Sequence, residues 1–235
     1  IFKSMNDDID KFSGKHGYLN SCLSALSTLT KDNPLNGQEA IDCELITKLN
    51  GRVSNIVRDG PEKYEENKDN NEEDENGYLK TCYNLSKLYN SLVQNDMNNV
   101  DKFNKMGITD NTVNMLDHFN DKVEPKTEEE KLAEINKKKG TSISSDKTEP
   151  ESEEEEENVD NLKPTELVRG IMKNCAGALE QITVPPASNE YLSNKTTVGD
   201  TMNKTLENEN NDTDYLVSAL HSLGNHLFNE AGKNY

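Results

Sequence analysis

The chain has 235 residues, of which 31% are apolar and 30% charged, and its net charge is −18. Ordinary globular chains are nearly half apolar, so a large share of these residues cannot contribute to a core. Phosphate backbones attract Lys and Arg, so this charge disfavours nucleic acid and anionic membrane surfaces as partners.

In chain order, two acidic stretches divide three islands of amphipathic pattern. The first island, residues 1–60, carries Leu19, Cys22, Leu26 and Leu29 at three- and four-residue spacing, which puts them on one helix face. Residues 61–76 follow with eight acids from Glu62 to Glu75, and like charges at that density repel one another, so an insertion loop is expected. The second island, residues 77–122, repeats the helical spacing with Leu79, Cys82, Leu85, Leu88 and Leu92. Residues 123–163 include the block Glu153–Glu157 and read as a second acidic, low-complexity insertion, within which Thr127–Lys139 has the composition of a solvated helix. The third island, residues 164–235, shows Ile171, Cys175, Leu179 and Ile182, then Leu216, Leu220 and Leu223. Alternating strand patterns with hairpin turns are missing, so an all-α fold is expected. The shared spacing predicts burial of Leu26, Leu29, Leu85, Leu88, Leu179 and Leu220.

The islands repeat one another. Gly17-Tyr18-Leu19-x-x-Cys22 returns as Gly77-Tyr78-Leu79-x-x-Cys82, Cys175 heads a third copy, and Asp214-Tyr215-Leu216 with Ala219 opens a fourth. Counting onward from each cysteine aligns Ile46 with Met106 and Gly199, and Val53 with Val113 and Leu206. With the acidic insertions set aside, the unit is in the mid-forties of residues, a length found in armadillo and HEAT repeats.

The residues of Leu79 to Phe119, with the core Asn84-Leu85-Ser86-Lys87-Leu88 and the turn Met106-Gly107-Ile108, resemble an armadillo unit. Ala25-Leu26-Ser27-Thr28-Leu29, Ala178-Leu179-Glu180-Gln181-Ile182 and Ala219-Leu220-His221-Ser222-Leu223 resemble the same core. The resemblance implies an armadillo-like α-solenoid interrupted by disordered acidic insertions. It implies a long third helix in each unit, lining a groove with its polar positions. Those positions are Asn20, Ser24 and Ser27, then Lys80, Asn84 and Lys87, then Gly177 and Gln181, then Ser218, His221 and Asn225. Asn84, Lys87, Gln181, His221 and Asn225 are the expected partner-binding residues, since amide side chains can bond the backbone of an extended segment. Trp is absent, so the Trp-and-Asn ladder by which nuclear-import members of the family hold cargo is not implied.

The sequence offers no catalytic constellation. Nucleophile-elbow, phosphate-loop, dinucleotide and zinc-protease motifs are all missing. Cys22, Cys43, Cys82 and Cys175 are scattered, lack a C-x-x-C pair, and sit in apolar helical patterns as buried thiols would. His221 and His226 are five apart and do not share a helix face for a metal. Four N-x-S/T sequons carry no weight in a chain with 32 Asn. No apolar run approaches a membrane span, no signal peptide opens the chain, and it reads as an intracellular piece of something longer. The expected function is a protein-binding scaffold or adaptor in the cytoplasm, with no cofactor, metal or catalysis. Two rival readings are a chaperone or assembly factor for cytoskeletal (myosin or axonemal) components and a regulatory subunit acting through the acidic insertions.

Overall fold

A computed structural model describes residues 1–12, 16–66, 77–95, 100–128, 130–132, 159–185, 191–192, 197–208 and 212–231. The described residues contain helices and no strand. They are α1 (Phe2–Phe12), α2 (His16–Thr30), α3 (Pro34–Asp42), α4 (Leu45–Glu66), α5 (Gly77–Asn95), α6 (Val100–Lys105), α7 (Ile108–Asn120), a 3-10 turn (Val159–Asn161), α8 (Pro164–Thr183), α9 (Val198–Glu207) and α10 (Thr213–Ala231).

The helix starts follow local chemistry. Asn33 caps α3 by accepting the Asn36 N–H at 3.1 Å, with Pro34 in the first turn, where its missing N–H costs nothing. Pro164 opens α8 likewise, and Glu166 accepts the Lys163 N–H at 2.7 Å. Two turns reverse the chain through a left-handed residue immediately before a long helix: Gly107 at φ 77 before α7, and Glu44 at φ 62 before α4. Glycine adopts this conformation freely, whereas Glu44 holds it at a steric cost, so the two units share a turn whose residue type differs.

Long helices pack into two rows. In the first row α2 lies against α5, α5 against α8, and α8 against α10; in the second, α4 lies against α7 and α7 against α9. Apolar side chains of both rows meet in one core, including Leu23, Leu26, Leu85, Leu88 and Leu179 from the first and Leu49, Leu116 and Phe119 from the second. Cys22, Cys82, Cys175 and Ala219 are 5%, 0%, 0% and 0% exposed, so the four sequence copies do occupy one structural position. Between the first two units lies a buried polar cluster. Tyr89 Oη donates to Asn50 Oδ1, Asn111 Nδ2 donates to Asn50 Oδ1 at 3.0 Å and to Ser54 Oγ at 3.1 Å, and Asn50 Nδ2 donates to the Met106 carbonyl beside Gly107. Each buried polar group there has a partner, which ties α4, α5 and α7 to one turn.

Four expectations need correction. Leu45, Ile108 and Val198 each begin a second-row helix, so Val53 corresponds to Leu116 and Leu206; the second copy has three more residues before that helix, and pairing Ile46 with Met106 or Val53 with Val113 is out of register. The acidic insertions are narrower than their charge suggested. The helix α4 continues through Pro61 to Glu66, and residues 67–76 lie outside the described residues. Val123, Lys126 and Glu130 sit on the folded body: Val123 is buried, Lys126 pairs with Asp212 at 2.6 Å, and Arg169 Nη1 donates to Glu130 at 3.1 Å. Thr127 and Glu130 bond each other's backbone N–H there, a capping box that starts the expected helix, most of which lies outside the described residues. Finally, Leu220 is 58% exposed and Leu29 only partly buried, while Leu26, Leu85, Leu88 and Leu179 are buried as expected.

Candidate functional site: the outer face of the first row

Successive residues turn 100° around a helix, so positions counted from the buried cysteine fix which way each side chain of a row helix leaves it. Contacts define two sides. At +8, Thr30 Oγ1 meets Ser91 Oγ of α5 at 3.1 Å and Thr183 Oγ1 meets Asn225 Nδ2 of α10 at 3.3 Å. At +4, Ser86 Oγ accepts from Asn174 of α8 at 3.2 Å. Positions +1, +4 and +8 therefore reach toward the next helix, and −1, +3 and +6 toward the preceding one. Between these sides, −2, +2, +5 and +9 turn outward, although Ser27 at +5 and Asn84 at +2 are nearly buried there and Ser91 at +9 reaches back to Thr30.

The row is close-packed at α5 and α8. A Cβ on Gly170 would stand 2.3 Å from the Tyr83 ring, and one on Gly177 would stand 3.2 Å from Asn90. Gly177 is thus a contact with α5 and contributes no side chain to a groove.

Across α2, α5 and α8 runs a cleft of roughly 170 Å³ lined by Ser27, Lys31, Asp32, Lys87, Asn90, Ser91, Gln94, Asn95 and Asn174. Its walls are amides, hydroxyls and ammonium groups, with Asp32 as the single acid. Neither α2 nor α5 contains an Asp or Glu, while α5 carries Lys80 and Lys87, in a chain of net charge −18. Lys80 is paired with Asp160 at 3.0 Å, and Lys87 faces the cleft.

The five expected binding residues fall in different places. Lys87 lines the cleft. Asn84 is 4% exposed, and its Oδ1 accepts no hydrogen bond among the described residues, so it belongs to the packed floor of the row. His221 is exposed on the outer face, its Nδ1 2.8 Å from Glu180 Oε1. Asn225 is engaged with Thr183 between α8 and α10, and Gln181 occupies the same +6 position one helix earlier; both belong to the sides of the row. Asn90, Ser91, Gln94, Asn95 and Asn174 escaped the sequence reading, although Asn90-Ser91 and Gln94-Asn95 are polar pairs one helical turn apart.

Burial pushes the Cys82 thiol up to about 12 and raises Cys22 and Cys175 as well. Such thiols stay protonated at neutral pH and are poor nucleophiles. Among the described residues no three His, Cys, Asp or Glu side chains converge to hold a metal ion, and no helix is long and apolar enough to cross a membrane. No family model, curated protein or solved structure matches the chain. What stands is an all-α protein with a polar, lysine-bearing cleft on one row of helices.

Proposed function

We propose that the chain is an armadillo-like solenoid segment that works as a scaffold or adaptor in the cytoplasm, holding a protein segment across the outer face of α2, α5 and α8, and that it has no catalytic role. The observation that carries this reading is the cleft itself. Carboxamides and hydroxyls from three successive row helices offer both donors and acceptors at intervals, as an extended backbone requires. Stacked units that expose one helix each are the form in which helical repeats bind extended chains. Lys87 supplies a cation for a partner carboxylate. Four free cysteines are in keeping with a reducing compartment.

The test is affinity capture by the wild-type chain beside the double variant Lys87→Glu, Gln94→Ala. Both side chains line the cleft, Gln94 exposed and Lys87 half-buried in its wall, and changes at such positions outside the core shift stability by about 0.5 kcal/mol or less. A protein held by the wild type and lost by the variant at unchanged melting temperature supports the cleft. Equal retention removes it, and loss on deleting residues 133–158 alone favours the acidic insertion as the active part.

A further inference from the structure

In a chain where 44 of 235 residues are Asp or Glu, α2 and α5, of 15 and 19 residues, contain neither. The cleft they share is an acid-poor patch on an acidic molecule, and its two lysines outnumber its one carboxylate, Asp32. The lysines of α5 are not alike. Lys80 is paired with Asp160 at 3.0 Å, whereas Lys87, half-buried in the cleft wall, has no hydrogen bond or ion pair among the described residues. An ammonium that has given up part of its hydration without gaining a counter-charge is stabilised by an anion that reaches it.

The amides around Lys87 are held by bonds of their own. Gln94 Nε2 donates to Asn90 Oδ1 at 3.1 Å, Asn174 Nδ2 to Ser86 Oγ at 3.2 Å, and Asn95 Nδ2 to the Thr30 carbonyl. Each bond uses an N–H and leaves the oxygen of the donating amide to accept from a partner backbone. The end of α2, whose last carbonyls would otherwise draw a cation, is closed: Asn36 Nδ2 donates to the Leu29 carbonyl at 2.7 Å and Asn95 takes that of Thr30. Positioned acceptors thus surround one uncompensated cation.

We propose that the segment held across this row carries a single anionic side chain, a carboxylate or a phosphoryl group, which docks on Lys87 while backbone N–H groups of the segment meet the amide oxygens. Its flanking residues are neutral or basic. One unpaired cation matches one anion, and at a net charge of −18 the rest of the molecule repels a run of acids. This inference rests on the reading of the cleft as a site for an extended segment, and it names what that segment must carry.

Selection of short random peptides displayed on phage tests it, against the wild type and the variants Lys87→Gln, Lys87→Glu and Lys80→Gln, each checked by circular dichroism. Wild type and Lys80→Gln should enrich one Asp or Glu at a fixed place, Lys87→Gln should enrich none, and Lys87→Glu should enrich Lys or Arg there. Changing the selected acid to its amide should weaken binding to the wild type by about tenfold or more and leave Lys87→Gln unaffected. Synthetic peptides with phosphoserine at that place decide the source of the anion: binding tighter than the carboxylate assigns a phosphoryl group, and weaker binding a carboxylate. An acidic preference that survives Lys87→Gln overturns the inference. Peptides without an acidic preference that are lost on Gln94→Ala also overturn it, and they leave the cleft standing as a binding site. Peptides bound equally by the double variant Lys87→Glu, Gln94→Ala, or no selected peptide at all, overturn both readings.

Discussion

The helices α5 and α10 carry nearly the same apolar spacing, yet one lies within the row and the other at its edge. In α5, Leu85 is 1% exposed and Tyr83 is packed on α8; in α10, Leu220 and Leu227 reach into solvent. A helix in a stacked array has two sides to cover, and the local pattern shows that a side is apolar without showing whether a neighbour is there to cover it. Burial in such a molecule is a property of the array.

The largest effect that can break this comparison is a pair of truncations. Leu85→Ala should cost on the order of 2–5 kcal/mol, because the surrounding core cannot fully collapse on the space left behind. Leu220→Ala should change stability by about 0.5 kcal/mol or less in dilute solution. Urea unfolding of both variants measures the gap, and equal losses would mean that α10 is covered as α5 is.

Glycines sharpen the same contrast with opposite signs. Gly170→Ala drives a methyl into the Tyr83 ring and should destabilise by about 1–3 kcal/mol. Gly224→Ala on α10 meets nothing within 4 Å and removes a poor helix former, so it should stabilise by up to about 1 kcal/mol. Thermal melts of the two variants should move in opposite directions.

Between the first two units, Glu44→Gly would give the first turn the residue that the second has at Gly107. Relief of the left-handed glutamate should add about 1 kcal/mol, read as a raised urea midpoint. A lowered midpoint would mean that the Glu44 side chain contributes more than its backbone costs.

The smallest effect concerns the edge of the second acidic stretch. Hydrogen bonds from Arg169 and from the Thr127 N–H hold the Glu130 carboxyl down at about 2, against an ordinary value of about 4.3. A depressed carboxyl stabilises the fold above its unfolded value, and that stabilisation is lost as the pH falls from about 4.3 toward 2. Glu130→Gln should therefore lower the melting temperature slightly at pH 6 and by much less at pH 2. An equal loss at both values would show that the pair is not the cause.

Much of the fold was legible because it is local. Leucine spacing located the row helices, and the buried cysteine with Tyr18 or Tyr78 four residues earlier marked the same point in two copies. Other features depend on geometry that single positions do not carry. The register between units slipped because the second unit has three more residues before its second-row helix. The exposure of Leu220 follows from the row ending at α10 among the described residues. Of the cleft, Ser27 and Lys87 were legible as polar residues on apolar helices. Asn90, Ser91 and Asn174 were not, because the twist of each helix against its neighbour decides which polar residues share a wall. Asn225 and Thr183 show the converse: polar residues that a helical wheel places outside can be bonded to each other between helices.

Hydrogen exchange by mass spectrometry on the dilute chain tests most directly whether these helices form one row with a covered middle and an open end. The account predicts that amides of α5 and α8 exchange only through global unfolding, while those of α10 exchange through a cheaper local opening. Protection of α10 equal to that of α5 in the monomer would contradict it.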